Sequence, residues 1–355
     1  MMGRARVAHV LLLALLSVTA LSCQASPPAS RVEIGMTVHF RGADDATFKR
    51  QFDLMAAMKV TWVRLDIDWS MVEGEQSQLN WDYPDKIFNE AAAHGMNVLA
   101  VLAFSPSWAN QATTIPWAPT SHARPGDPAS FANFARVAAQ RYAARGVRAW
   151  EIWNEPNTRK FWRPNVDAGQ YSELFRAAAD AIRGVDPKAT LLIGGLAPLP
   201  DEPGAGISPE DYLEQLYING AAQLADGVAV HPYTFPELPL DHQRQPVGAF
   251  SDLPALHAVM DKYGDGEKKV WITEFGAPTG TGPTAVSEQN QALSIQQARQ
   301  QVARWDWAGP LIYYELVDGA TDPTDVEENF GVLRENLEPK PAAVALMETT
   351  SRWWW

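Results

Sequence analysis

Eight short β-rich runs recur along this chain, and none lies close enough to the next to close a hairpin. They are Val32–Phe40, Val60–Asp68, Met96–Phe104, Arg148–Trp153, Thr190–Gly195, Gly227–Tyr233, Lys269–Glu274 and Gly309–Leu316. Their starts, at residues 32, 60, 96, 148, 190, 227, 269 and 309, are 28 to 52 residues apart. Each gap has room for a crossover helix, so the strands are expected to run parallel. Several of those helices are legible. Phe131, Phe134, Ala135, Ala138 and Tyr142 form one apolar stripe ahead of Gly146, and the preceding helix closes at His94-Gly95. Another, around Gln170–Arg183, ends at Gly184, and Asp44 and Asp45 are N-cap candidates for the first. Eight strands alternating with helices is the count of a single (β/α)8 TIM barrel of the α/β class. A doubly wound open sheet competes, but no Gly-x-Gly-x-x-Gly follows the first strand, and Gly194-Gly195 lacks that pattern too. With no internal repeat and no break in composition, residues 32–350 are expected to form one domain. A chain of 355 residues buries enough surface to need no metal or disulfide staple.

The first 31 residues stand apart. Arg4 and Arg6 precede the apolar run Val10–Leu21, the pattern of a secretory signal and too short to span a bilayer. Its end has two readings. Thr19-Ala20-Leu21-Ser22-Cys23 resembles a bacterial lipobox, in which Cys23 is acylated. Small residues at Val18-Thr19-Ala20 or Cys23-Gln24-Ala25 suit ordinary signal peptidase instead. Because Cys23 is the single cysteine and sits at this junction, the lipoprotein reading is preferred, and either way the mature chain has no disulfide. The expected organisation is a signal peptide at 1–23, a polar tether at 24–31, the barrel, and a Trp-rich tail at 351–355. That describes an exported bacterial protein, a cell-envelope lipoprotein or a secreted one, touching the membrane only through a lipid on Cys23. Net charge is 29 − 42 = −13, which argues against a nucleic-acid partner. Nothing in the sequence sets the oligomeric state.

In a barrel of this kind the chemistry sits at the C-terminal ends of the strands. Polar residues crowd those ends here: His39 on the first run, Arg64, Asp66 and Asp68 on the second, Asn154-Glu155 after the fourth, His231-Pro232-Tyr233 on the sixth, Thr273-Glu274 on the seventh and Tyr313-Tyr314-Glu315 on the eighth. No histidine or cysteine spacing suits a metal, no acidic loop suits calcium, and there is no Gly-x-Ser-x-Gly elbow, so neither a metal nor a cofactor is expected. Glu155 and Glu274 each close an otherwise apolar strand, and the fourth and seventh strands face each other across the barrel. Two such carboxyl groups can flank one glycosidic bond, one protonating the leaving oxygen and the other meeting the sugar carbon. A separation of about 5–5.5 Å gives retention of configuration, and one of roughly 6.5–9.5 Å gives inversion.

The octet Trp150-Glu151-Ile152-Trp153-Asn154-Glu155-Pro156-Asn157, with Ile272-Thr273-Glu274-Phe275-Gly276, resembles the strand-4 and strand-7 signatures of clan A retaining glycoside hydrolases. Trp62-Val63-Arg64-Leu65-Asp66, Trp69, His231-Pro232-Tyr233, Asn329-Phe330-Gly331 and Pro339-Lys340-Pro341 extend the likeness over residues 32–345. It is nearest to family 39 and its bacterial exopolysaccharide-hydrolase relatives, with family 5 next. The resemblance implies an acid/base role for Glu155 and a nucleophile role for Glu274. It departs at the end of strand eight, where many members have Trp and this chain has Tyr313-Tyr314.

A carbohydrate is the expected partner, a polysaccharide or glycoconjugate. Asn154 is expected on a sugar 2-hydroxyl, Arg64 beside Glu274, Tyr233 donating to Glu274, and Tyr314 at the floor of the site. His39 and His231 are read either as substrate contacts or as satisfied barrel histidines, and Asp66 and Asp68 either as ligands or as ion-pair partners. Trp69, Trp108, Trp117 and Trp162 follow strand ends and are candidate platforms for sugar rings, Trp69 and Trp162 foremost. Trp62, Trp150, Trp271 and Trp305 suit the core. Two rivals share these features: a transglycosylase using the same site, and an inactive carbohydrate-binding surface lipoprotein.

Overall fold

A strand falls on each of the eight runs, within a residue beyond its bounds: β1 (Ile34–Thr37), β2 (Trp62–Asp68), β3 (Asn97–Ala103), β4 (Ala149–Asn154), β5 (Thr190–Leu196), β6 (Gly227–Val230), β7 (Lys269–Ile272) and β8 (Ala308–Tyr313). All neighbours pair in parallel, and β8 returns to β1 with Ile312 opposite Gly35, closing the barrel. This computed structural model describes residues 32–40, 42–110, 119–319 and 322–347. The leader with Cys23, the tether, Trp117 and the tail Trp353–Trp355 lie outside the described residues.

Between the strands run α1 (Asp45–Ala57), α2 (Trp69–Val72), α3 (Asp82–Ala93), α4 (Pro128–Tyr142), α5 (Ala168–Arg183), α6 (Pro209–Ile218), α7 (Leu253–Lys262) and α8 (Glu288–Val302), with α9 (Pro341–Met347) following β8. Their ends are set locally. Asp44 caps α1 by accepting from the Thr47 N–H at 2.8 Å, and Asp127 caps α4 by accepting from Ala129 at 2.9 Å. Gly146 follows α4 with φ +96°, a conformation glycine adopts without steric cost. The stripe Phe131, Phe134, Ala135, Ala138 and Tyr142 is fully buried, because α4 lays that face on the sheet.

Two apolar layers result. The larger lies between sheet and helices. The smaller takes Leu99, Ala149, Leu192, Ala229 and Ile312 from five different strands, so it fills the barrel interior. Trp62 and Trp271 pack against it edge to face, their ring centres 5.1 Å apart. Above this apolar plug, Arg64 and Asp66 on β2 keep the inward parity of Trp62, and Glu151 on β4 that of Ala149. The interior therefore turns from hydrocarbon to charge within one pleat.

Regular pairing stops sooner than the hydrophobic runs suggest, at Val230 on β6, Ile272 on β7 and Tyr313 on β8. Single backbone bonds continue past those points: His231 N–H to the Leu196 carbonyl at 2.9 Å, Thr273 to Val230 at 3.0 Å and Tyr314 to Phe275 at 2.9 Å. The residues carrying side chains over the mouth are thus held without being locked into a ladder.

Candidate active site

Arg64, midway along β2 and 1% exposed, organises the barrel mouth from below. Its Nε and Nη2 meet Glu151 at 3.3 and 3.0 Å, Nη2 also donates to Asn154 Oδ1 at 3.0 Å, and Nη1 lies 2.5 Å from Glu274 Oε1. Glu274 accepts a second bond on Oε2, from the Tyr233 hydroxyl at 2.7 Å. Burial works against charge on Glu274, yet His231, Arg64 and Tyr233 outweigh it and hold its pKa below the ordinary carboxylate value. Burial also pushes the Tyr233 phenol well up, so it stays a donor.

Glu155 leaves β4 through a tight turn. Trp153 and Glu155 both have positive φ, +72° and +44°, and the Glu155 N–H bonds the Gly195 carbonyl at 3.0 Å. Non-glycine residues occupy that region at a cost that the surrounding packing must cover. Its Oε1 lies 3.0 Å from His231 Nδ1, and the same nitrogen is 3.5 Å from Glu274 Oε2. Burial disfavours a charged His231, but Glu274, Glu151 and Glu155 prevail and push its pKa up to about 9. Glu151, wholly buried beneath, is penalised by burial, yet Arg64 and His231 hold it down at about 2.

One oxygen of Glu155, one of Glu274 and a His231 nitrogen all lie within 4.8 Å of one another. By count these three can ligate a divalent cation. Arg64 and the His231 imidazolium already bring positive charge there, and a ligating histidine must give up its proton. With their facing oxygens within 4.8 Å, the two carboxylates are nearer the spacing for retention than that for inversion.

Above the pair opens a cavity of about 340 Å³. Asn154, His39, Asp66 and Tyr314 line it, with His39 Nδ1 2.8 Å from Glu315 Oε2 and Asp66 3.9 Å from Arg64. Asp68 does not: it caps α2, accepting from the Ser70 N–H at 2.8 Å. His231 is fully buried beneath the carboxylates, and Arg64 lies below Glu274, so neither reaches the cavity as a substrate contact.

For Trp69, Trp162 and Trp108 the expectation of sugar platforms is overturned. Trp69 is fully buried, stacked on Phe134 with its indole N–H donated to Glu73 at 2.7 Å. Trp162, 1% exposed, is edge-on to Trp153 and Tyr171. Trp108 is half-buried against Trp69, with its N–H on the Glu73 carbonyl. Their loops fold back on the helices, and the rings go with them. The aromatic wall comes instead from Phe104 and Phe161 with His122 between them, and from Phe235, Phe330 and Tyr314 on the other side. Desolvation lowers the His122 pKa to about 4, so its ring is neutral at ordinary pH. Lys160 and Glu327 complete the rim, 3.8 Å apart. Sequence reasoning missed Glu151, although an acid in mid-strand at inward parity was a visible signal. The phenylalanines carried no comparable mark.

A closed parallel barrel with two facing carboxylates under an aromatic-walled cavity, at the C-terminal ends of its strands, is the architecture of a barrel glycoside hydrolase. The chain belongs to the cellulase family, glycosyl hydrolase family 5, whose family model matches residues 29–309. Over 60 residues it is 40% identical to a beta-xylosidase of Geobacillus stearothermophilus, a stretch covering 16% of this chain and 11% of that protein. In fold it is similar to a family 39 glycoside hydrolase from the gut symbiont Bacteroides cellulosilyticus, with a TM-score of 0.70, 23% identity, and 89% of this chain and 63% of that one covered. A monomeric beta-xylosidase from Caulobacter crescentus superposes with a TM-score of 0.67 at 17% identity, covering 91% of this chain and 68% of the other. The matched region spans less than two thirds of the Geobacillus protein and of the family 39 enzyme. Families 5 and 39, the two that the motifs resemble, both appear among these relatives.

Proposed function

We propose that this protein is a retaining glycoside hydrolase working by double displacement. The observation that carries this reading is two carboxylate oxygens within 4.8 Å, in unlike surroundings, under a sugar-sized cavity. Glu274, held ionised by Arg64 and Tyr233, attacks the anomeric carbon. Glu155 gives its proton to the departing oxygen as the glycosidic bond breaks. A glycosyl ester on Glu274 remains. Water then attacks the same carbon, its proton passes to Glu155, and the ester bond to Glu274 breaks. Asn154, oriented by Arg64, faces the cavity where a 2-hydroxyl bond can strengthen in the transition state. The facing phenylalanines and Tyr314 suit the C–H faces of a sugar.

The substrate we propose is a polysaccharide or glycoconjugate outside the cytoplasm. Support for export is the basic start and apolar run of residues 1–23, with Cys23 as the lipid-bearing residue. Transfer to a sugar acceptor loses support, since Trp69 and Trp162, the foremost candidates for its subsites, are buried.

The test starts from 4-nitrophenyl β-D-glycosides, the xyloside first because two relatives are named beta-xylosidases, followed by envelope and plant polysaccharides. Glu274→Ala and Glu155→Ala are each assayed with and without azide. In Glu155→Ala, azide opens the ester and gives a glycosyl azide of the substrate's own configuration. In Glu274→Ala, azide fills the space of the missing carboxylate and gives the inverted product. Near-normal turnover by either folded variant without azide overturns the roles.

A further inference from the structure

Beneath the two carboxylates lies an acid that the double displacement does not use. Glu151 is fully buried, and its oxygens are taken by Arg64 and by the Gly195 N–H at 3.0 Å. Glu151 Oε1 is also 3.8 Å from His231 Nε2. Arg64 Nη2 approaches that same ring nitrogen at 3.5 Å, but both its hydrogens are engaged, one by Glu151 and one by Asn154. Nε2 therefore receives no hydrogen from the guanidinium and is free to carry its own. At the far side of the ring, a single Nδ1–H faces Glu155 at 3.0 Å and Glu274 at 3.5 Å.

We propose that Glu151 is a positioning residue that keeps His231 an imidazolium, so that one N–H serves whichever of Glu155 and Glu274 bears the negative charge. This rests on the double-displacement reading above. In the free enzyme the charge is on Glu274 and the proton on Glu155. In the glycosyl ester Glu274 is neutral and Glu155, having given up its proton, is the anion. One unit of negative charge thus moves across a few ångströms while His231 stays where both positions are in reach. Preorganised charge of this kind costs no rearrangement at the moment of reaction. No atom of Glu151 needs to touch the sugar.

The charged groups facing His231 are Arg64 on β2, Glu151 and Glu155 at β4 and Glu274 beyond β7. Arg64 opposes the imidazolium, and the carboxylates favour it. Burial alone disfavours it, so the balance depends on the anions being present.

Two measurements test this. In wild-type protein labelled with 15N-histidine, the His231 signal, assigned by its absence in His231→Asn, is expected to be that of an imidazolium at pH 7 and to titrate only above pH 8. A neutral His231 at pH 7 overturns the proposal whatever the enzyme's substrate. In Glu151→Gln, the His231 titration and the alkaline limb of kcat should both move toward acid by about one pH unit or more, each unit being about tenfold in imidazolium population. KM should change less than kcat, and Glu151→Asp should restore part of the shift. A folded Glu151→Gln with wild-type kcat and pH profile overturns the positioning role, while inactive Glu155 and Glu274 variants in the same assay leave the double displacement standing.

Discussion

Glu274 owes its low pKa to named partners, so its titration can be moved one partner at a time. Removing the Tyr233 hydroxyl in Tyr233→Phe deletes a bond to the charged form, so the Glu274 pKa rises. The acid limb of kcat/KM should then shift to higher pH by about one to two units, from the roughly 1.5–3 kcal/mol of a hydrogen bond to a charged group. An unmoved acid limb would mean that the group titrating there is not Glu274. The aromatics make a second pair of tests. Trp162→Ala should lower stability by about 3–5 kcal/mol, as expected for a buried ring, and leave KM nearly unchanged in whatever remains folded. Phe161→Ala should do the reverse, raising KM roughly two- to tenfold with little change in melting temperature, because that ring faces the cavity.

At the scale of elements, β5 is what lets β4 carry its charges. A Cβ on Gly195 would sit 2.0 Å from His231 Nε2, and one on Gly194 would sit 2.5 Å from the Trp153 carbonyl. The Gly194-Gly195 pair is therefore a matter of clearance under the site, with no bearing on phosphate binding. Gly195 also donates its N–H to Glu151 and accepts from the Glu155 N–H, so its backbone links two levels of the site. Gly195→Ala is expected to displace the imidazole, cost about 1–3 kcal/mol through overpacking, and lower kcat about a hundredfold. Denaturant titration and steady-state kinetics on one preparation would check both, and a fully active, equally stable Gly195→Ala would show that the ring has other room.

The molecule as a whole registers the buried charges in its stability. A histidine whose pKa is raised on folding contributes stability that is complete below its unfolded value near 6.5 and is lost as pH rises through the folded value. For His231 the window is therefore pH 6.5 to about 9, and the contribution is roughly 3 kcal/mol. His94, raised by its bond to Asp53, adds in the same direction. The melting temperature should fall across that window and fall less steeply in His231→Asn. Equal slopes would show that His231 is not charged in the folded protein. Seen from the sequence, the barrel itself was legible, because eight apolar runs at crossover spacing leave few other ways to bury their surface, and strand ends are where parity delivers side chains to the mouth. Glu155 and Glu274 were legible for the same local reason, as acids closing apolar strands. Which rings meet the sugar was not. Trp69 and Phe161 each follow a strand end, and only the path of each loop sends one into the helix layer and the other to the cavity. Nor was the full network around Arg64: its place beside Glu274 was expected, but its bonds to Glu151 and Asn154, 87 and 90 positions away, were not. Periodicity and parity act over a few residues and are written along the chain, whereas burial and charge pairing depend on distances that exist only once the barrel has closed.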